Sequence, residues 1–541
     1  MRISRIAISN NRRVADFDVE VRDHAVLVGP NGVGKSTVLR LVDCVLGASW
    51  SQLAVSIDLG QVRESEKPMI VEVRLEDLDA EDIAHFADKL QVGTGATAGK
   101  VWLTLRLVAA VSQFDAEKLD ITRSFVKPLV DDSAASRDDL RQIGWAFLPA
   151  NRSPDRELGA GRSSAVRSLL RAVSLGTAEA TAIEDALADL SAALKASPAL
   201  SSLREGLASE LSVLFPEPIG KDEISVDLPT STRNEPLNDV DVQLERDGVK
   251  APLSAQSDGL RSLAVVAIQL LARRSARILA IDEPEIHLHP RGQANLGRLL
   301  ASAPGQRLVA THAPAVLARF SPRHAVAVTA DGARQLSSTA FSGEPKRLQH
   351  WWADSALEPL TADSIVFVEG ISDRIIVHAV ARLLGFELDR CGVTVVSLNG
   401  AQNFKPAISL FGPDGFGNRL LGLVDANEAS IPADALSVTV AGLAALNFLT
   451  CHADLEEEYV TALGVADTIS LLIRSGLFAE PGIKLATGAT TLGSITPLGL
   501  AENVLRKHKV EAAAALGEGL TAAHSAALTT VAELVRRAVA P

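Results

Sequence analysis

Two groups of residues in this 541-residue sequence have types and spacings suited to phosphate chemistry. Gly29-Pro30-Asn31-Gly32-Val33-Gly34-Lys35-Ser36 fits the pattern G-x-x-x-x-G-K-[ST], between an apolar strand and a helix. Such glycines let successive backbone N–H groups point inward around phosphate oxygens, and the helix N-terminus adds positive potential. Lys35 would reach the β and γ oxygens, and the Ser36 hydroxyl would stand by Mg2+. Asn31, Gly32, Gly34, Lys35, Ser36 and Thr37 are therefore the expected nucleotide-binding residues. Arg277-Ile278-Leu279-Ala280-Ile281-Asp282-Glu283 is an apolar strand ending in two carboxylates. Asp282 suits Mg2+, and Glu283 suits polarising an attacking water. Strand-end acids alone are as readily just solvated; the glycine loop selects the functional reading.

The second group begins at Ile365-Val366-Phe367-Val368-Glu369-Gly370-Ile371-Ser372-Asp373, where an apolar strand delivers a glutamate, a glycine turn and an aspartate at a helix start. A later apolar strand ends in Asp425-Ala426-Asn427-Glu428. Parallel strands align their carboxyl ends, so Glu369, Asp373 and Asp425 are expected to converge as hard oxygen ligands for Mg2+ or Mn2+. The alternative is separately solvated strand-end acids.

The elements that must position these residues alternate in an α/β manner. Arg5 to Ile8 and Ala15 to Val21 read as half-buried strands, His24 to Val28 as a buried one, and Ser36 to Leu46 as a helix. Ile70 to Leu75 and Val101 to Leu107 also read as strands. Between about Leu158 and Phe215 the composition shifts to Ala, Leu and Ser, and Leu200, Leu203, Leu207, Leu211 and Leu214 form a helical stripe. That helix either packs on its own domain or serves self-association. A second α/β block runs from Leu260 to about Val328. Phe341 to Pro359, with Trp351-Trp352, reads as a linker or docking segment. Ser364 to Val368, Val393 to Leu398 and Leu420 to Val424 then make a small parallel sheet, with a helix from Arg374 to Leu384. The tail from Glu511 to Ala540 reads as an Ala-rich helical segment.

Composition narrows the function. Hydrophobic residues make up 47% and aromatics 4%, which fits aliphatic parallel strands and excludes an aromatic stacking platform. The net charge of −13 argues against a generally basic, DNA-coating surface. Cys44, Cys391 and Cys451 fit neither a disulfide framework nor a zinc spacing. No signal region and no run of about 20 apolar residues occurs, so no membrane partner and a cytoplasmic location are expected.

Together, the glycine loop with its following Thr37, the distant Asp282-Glu283-Pro284-Glu285-Ile286-His287-Leu288-His289-Pro290 and Thr311-His312-Ala313-Pro314 resemble the ATPase core of ABC-type proteins. Their wide separation resembles the SMC and Rad50 branch. The resemblance implies ATP as ligand, His312 as the γ-phosphate sensor, and Ser257-Asp258-Gly259 as a divergent signature motif. In that family the Ser257 and Gly259 positions serve the partner's nucleotide, so it implies a homodimer or higher homo-oligomer. Asn151-Arg152 reads either as a cation for the nucleotide or as ordinary surface.

The Glu369 and Asp425 segments, with Asn399-Gly400 between them, resemble the Toprim domain, from which this sequence departs by placing Asn427 where a second aspartate is usual. An asparagine carbonyl can coordinate Mg2+ without bringing charge. Glu456, in Asp454-Leu455-Glu456-Glu457-Glu458, resembles a further metal-binding acid of the nuclease branch, and reads equally as a helix-start cluster. Lys507 and Lys509 are phosphate contacts or surface lysines. An ABC-type ATPase with a helical insertion followed by Toprim is the organisation of the OLD (overcoming lysogenization defect) nucleases.

The resemblance gives expected boundaries: an ATPase in two parts, 1–157 and 216–345; a helical insertion and possible dimerisation element, 158–215; a linker, 346–360; and a Toprim nuclease-like domain with a helical tail, 361–541. It implies an ATP-dependent, metal-dependent endonuclease acting on nucleic acid, DNA favoured, in phage defence, with a helicase-like protein as a possible partner. One rival is an ATPase whose C-terminal domain has lost cutting and binds nucleic acid or signals. Another is a topoisomerase-like strand passer, which needs a tyrosine nucleophile; the chain's one tyrosine is Tyr459.

Overall fold

The computed structural model describes most of residues 1–151, 176–202, 249–337 and 357–540, with shorter stretches between them. Three larger sheets, beside the two-stranded pair Gln243–Arg246 and Val249–Pro252, organise these residues. The first is antiparallel, in the order Phe17–Glu20, Arg2–Ser9, Met69–Glu76, Val101–Val111, Leu119–Phe125, Ser133–Ala134, with Gln91–Val92 paired to Val101–Val111. Met69–Glu76 alternates buried and half-buried residues along its whole length, the pattern of a sheet covered on one face.

The second sheet runs Gly332–Gln335, Ala325–Thr329, His24–Val28, Gln306–Ala310, Ile278–Asp282, Trp145–Leu148. It is parallel except for the Gly332–Gln335 edge. Ile278–Asp282 and Gln306–Ala310 are buried at every position because both faces are covered. The helix Lys35–Leu46 fills the space between the two sheets. Its Val38, Leu39, Val42 and Val45 pack in one apolar cluster with Ile6, Val71 and Leu105 from the first and Leu27, Ala280 and Leu308 from the second.

The third sheet is fully parallel: Val393–Ser397, Ser364–Val368, Arg419–Val424, Phe448–Thr450. Period-two alternation divides the central strand between two cores. Val366 and Val368 face the helices Ile371–Leu383, Lys509–Gly519 and Thr529–Val539, while Ile365 and Phe367 join the cluster that contains Val26 and Val309 of the second sheet. Trp352 sits in that shared cluster, donating from Nε1 to the Phe320 carbonyl at 3.2 Å and stacking on Phe416.

The Ala-rich tail is helical but broken in two places, which its composition does not record. It forms three helices, Lys509–Gly519, Ala522–Ala527 and Thr529–Val539. Thr521 caps the second through its side chain, and Leu528 leaves helical geometry before the third. The strands Leu119–Phe125 and Trp145–Leu148 were not anticipated either, the latter being only four residues long. A helix Thr177–Ala196 occupies the Ala-rich stretch, whereas most of the Leu200–Leu214 stripe and Arg152 lie outside the described residues.

Candidate functional site

The glycine loop leaves the carboxyl end of His24–Val28, and its Gly29, Gly32 and Gly34 have φ values of 156°, 85° and 100°. A Cβ on Gly29 would stand 2.3 Å from the Val328 carbonyl oxygen, and one on Gly34 2.8 Å from that of Arg13. Space and backbone conformation thus both require glycine there. Asn31 and Gly32 are exposed at the crest, and Ser36 and Thr37 are half-buried in the first turn of the helix. Lys35 is buried and donates from Nζ to the carbonyls of Gly29 and Pro30, each at 2.9 Å. Burial holds its ammonium below the usual lysine range, against the opposing pull of Glu283, Asp282 and Glu285.

Parallel register places Asp282 beside Ala310 and brings two further strand ends to the loop. Ser36 Oγ donates to Oδ1 of the fully buried Asp282 at 2.8 Å, joining residues 246 apart in sequence. Glu283, at φ 43°, turns toward His312, with Oε1 and Nε2 3.4 Å apart. Sequence reasoning gave no role to Glu285. Its Oε1 accepts from Thr311 Oγ1 at 2.7 Å, His312 N at 2.7 Å and Ala313 N at 3.1 Å, so it fixes the turn that presents His312. Its place three residues after Asp282, on the turn back beneath the strand, was the available signal.

Ser257 and Gly259 flank the start of the helix Asp258–Ala272. A Cβ on Gly259 would find the His287 carbonyl oxygen at 3.9 Å. Among the described residues no hydrogen bond or ion pair joins either to the glycine loop.

The second group lies at the carboxyl ends of the third sheet. Glu369 follows Ser364–Val368, and its carbonyl accepts from Gly400 N at 3.0 Å. Asn399 and Gly400 make that approach with φ of 55° and 120°. Asp373 is the third residue of the helix Ile371–Leu383; its Oδ2 accepts from Gly370 N at 2.9 Å and its Oδ1 from Ser372 Oγ at 3.2 Å. Asp425 follows Arg419–Val424, and Glu456, 1% exposed, lies on the helix Leu455–Leu463.

These acids feel one another. Burial first, then the charges of Asp373, Glu456 and Asp454, push Asp425 up to about 7, against the pull of Lys509. Burial, a hydrogen bond with Glu428 and the charges of Asp425 and Glu428 push Glu369 well above the carboxylate range. Asp373 and Glu456 are raised as well, chiefly by burial. Lys509, half-buried, stands 3.3 Å from Glu456 Oε2. Burial disfavours its charge, yet Glu456, Asp425 and Glu369 outweigh that and raise its pKa.

Asn427 is exposed on the turn Ala426–Glu428, and the residue that meets Glu369 is Glu428. Lys507 is exposed and donates to Asn503 Oδ1 at 3.4 Å. Tyr459 is fully buried, closed to any substrate strand as a nucleophile. Among the described residues no three His, Cys, Asp or Glu side chains meet tightly enough to hold a metal ion as they stand. The donor chemistry nevertheless fits a divalent cation: hard oxygens only, mutual repulsion that a cation would relieve, and a buried Glu456 Oε1 with no hydrogen-bond partner.

The fold and its two sites define a class: a nucleotide-loop ATPase joined in one chain to a parallel-sheet domain with acids at its strand ends. Comparison with known proteins agrees. Residues 1–130 match an AAA ATPase domain model, residues 108–318 an AAA domain model described for the AbiEii toxin of type IV TA systems, and residues 360–426 the Overcoming lysogenization defect protein-like TOPRIM domain. An OLD nuclease of Thermus scotoductus is 24% identical over 427 residues, spanning 74% of this chain and 78% of the relative. These matches support an OLD-family ATPase–Toprim protein.

Among solved structures, the C-terminal region of the Burkholderia pseudomallei OLD protein is 26% identical, covering 33% of this chain and 99% of that one at a TM-score of 0.28. An SMC head bound to the C-terminal winged-helix domain of ScpA is 12% identical, covering 62% of this chain and 97% of that one at a TM-score of 0.37. No single helix among the described residues is long and apolar enough to cross a membrane.

Proposed function

We propose that the protein is an ATP-dependent, divalent-metal-dependent endonuclease acting on DNA, in which nucleotide binding gates the acid site. The observation that carries this reading is the gathering of Glu369, Asp373, Asp425 and Glu456 at the carboxyl ends of one parallel sheet, close enough to raise one another's pKa values. Glu369, Asp373, Asp425 and Glu456, with the Asn427 carbonyl, would hold Mg2+ or Mn2+. When bound, the ion polarises the attacking water and steadies the leaving oxygen. Lys509 offers N–H donors to a non-bridging phosphate oxygen and offsets the acids' charge as DNA approaches. That help matters because residues 361–541 carry 12 basic and 19 acidic residues, a net of −7.

In the ATPase, Lys35 exchanges its loop carbonyls for β and γ oxygens, and Ser36 and Asp282 hold the nucleotide's Mg2+. Glu283 orients water, and His312, fixed by Glu285, senses the γ-phosphate. Ser257 and Gly259, which make no hydrogen bond or ion pair to the loop of their own chain among the described residues, serve the partner of a homodimer. The expected boundaries at 157, 215, 345 and 360 follow this division of labour, and a phage-defence role extends it by family resemblance. Plasmid nicking by the wild type in Mg2+ or Mn2+, lost with chelator and in Asp425→Ala, tests the proposal. The exposed Asn427 favours a second reading, a binding or signalling module without cutting. Intact plasmid with both proteins, while both hydrolyse ATP, would establish it.

A further inference from the structure

A cavity of about 860 Å3 lies at the far end of the helix Lys35–Leu46 from the glycine loop. Twelve residues at 1.5 Å rise put it roughly 18 Å from the phosphate-binding loop, so it is a separate place. Its charged lining is three arginines, Arg123, Arg137 and Arg141, with no acid among the lining residues, in a chain whose net charge is −13. Two indoles, Trp50 and Trp145, complete the wall, and Trp50 is 51% exposed.

Arg123 is 4% exposed, and its Nη1 donates to the carbonyls of Cys44 at 3.1 Å and Ala48 at 2.7 Å. Those bonds satisfy the end of the helix, but they are bonds to neutral oxygens. Its Nε has no partner, and its guanidinium lies over the Trp50 ring at 5.2 Å. Among the described residues no carboxylate lies within ion-pair reach of this buried cation, and Asp43 attracts it only from farther off, so it still favours an anion from outside. The nearest acid on the helix, Asp43, is engaged by Trp145 Nε1 at 2.8 Å. Arg137 is exposed on the rim, and Arg141 has only an exposed pairing with Asp138. Helix capping explains Arg123 alone; it explains neither the two rim arginines nor an exposed indole beside them.

We propose that this cavity is a second binding site, for a nucleoside monophosphate unit: the phosphate on Arg123, Arg137 and Arg141, and the base on the open face of Trp50. Stacking on an indole with guanidinium contacts to phosphate is the chemistry by which single nucleotides are held, and the volume suits one. The unit comes either from a free mononucleotide or from the 5′-phosphorylated end of a DNA strand. The cavity touches both Trp145, whose strand pairs with Ile278–Asp282, and the helix bearing Lys35, so occupancy would be felt at the ATPase site.

The test uses the full chain with its ATP site saturated by a non-hydrolysable ATP analogue. Binding of dTMP, thymidine, inorganic phosphate and a short single strand with and without 5′-phosphate is read by calorimetry. Wild type is compared with the rim variant Arg137→Ala/Arg141→Ala, which leaves the Arg123 cap intact, and with Trp50→Ala. The expected result is binding of dTMP or of the 5′-phosphorylated strand, at least tenfold weaker in the rim variant and weaker in Trp50→Ala, with no binding of thymidine. Binding of dTMP identifies a free nucleotide as the source, and binding of the phosphorylated strand alone identifies the strand end. Binding of neither, or equal binding by wild type and rim variant, overturns the proposal.

Discussion

The two phosphate-type sites of this chain are built oppositely. Around the glycine loop each charged group already has a protein partner, although Glu285 Oε2 is left buried and unbonded: Lys35 rests on loop carbonyls, Ser36 on Asp282, Glu283 against His312, and Glu285 Oε1 on three donors of the next turn. In the Toprim domain the acids face mainly each other, with Lys509 the cation that offsets them, and their pKa values rise. A site that is satisfied before its ligand arrives can hold its shape empty and exchange internal bonds for ligand bonds. One that is electrostatically frustrated stays protonated or open until a cation binds. The first suits a switch, the second a cutting centre that is silent without its ion.

Removing the central charge of each site should separate them most sharply. Lys35→Ala is expected to lower ATP turnover at least ~100-fold, since it deletes the cation proposed to meet the β and γ oxygens. Asp425→Ala is expected to abolish metal-dependent nicking by a similar factor while ATP turnover stays within about twofold. A steady-state ATPase assay beside a plasmid assay reads both. The proposed nucleotide gating makes Lys35→Ala lose nicking along with ATP turnover, so Asp425→Ala is the discriminating variant: loss of its ATP turnover as well would mean that the sites are one cooperative unit.

A milder change probes the satisfied site. Glu285→Ala frees the Thr311 hydroxyl and two backbone N–H groups, so His312 loses its support. Turnover should fall about tenfold, the loss expected for charge-assisted hydrogen bonds. Lys35 and Ser36 keep their own contacts, so KM for ATP should change less than kcat. A KM effect larger than the kcat effect would place Glu285 in binding rather than in positioning.

How readily each site could be read from sequence follows from the same contrast. The glycine loop is contiguous, and its required glycines, lysine and serine stand in order, so position and partner strand were both visible. Asp282 was visible because its strand is apolar throughout. Glu285 was hidden because its task is to accept hydrogen bonds from a turn 26 residues away, and no local pattern records that. Glu369, Asp373 and Asp425 were legible as strand-end and helix-start acids. Their electrostatic environment was not, because Glu428 and Lys509 enter from a short turn and from a helix 84 residues after Asp425. The breaks in the tail were hidden for a similar reason. An Ala-rich composition promotes helix throughout, and only the cap at Thr521 and the bend at Leu528 divide it.

The finest test turns on the sign of a pH effect. Asp425 has a folded pKa of about 7, above its ordinary value of 3.8. Below about pH 4 it is protonated in both folded and unfolded chains and exacts no penalty. Between about pH 4 and pH 7 the unfolded chain releases that proton while the folded chain keeps it, so folded stability falls as pH rises, and above pH 7 the loss is complete. Asp425→Asn removes this term. In metal-free buffer the variant should melt about 2 °C or more above the wild type at pH 8, and the difference should shrink toward zero near pH 4. Millimolar Mg2+ should reverse the order at pH 8, because it stabilises only the protein that keeps the carboxylate. A wild type more stable than the variant in metal-free buffer at pH 8 would show that Asp425 is already neutralised by the protein itself, and the contrast between a satisfied and a frustrated site would fail at its strongest point.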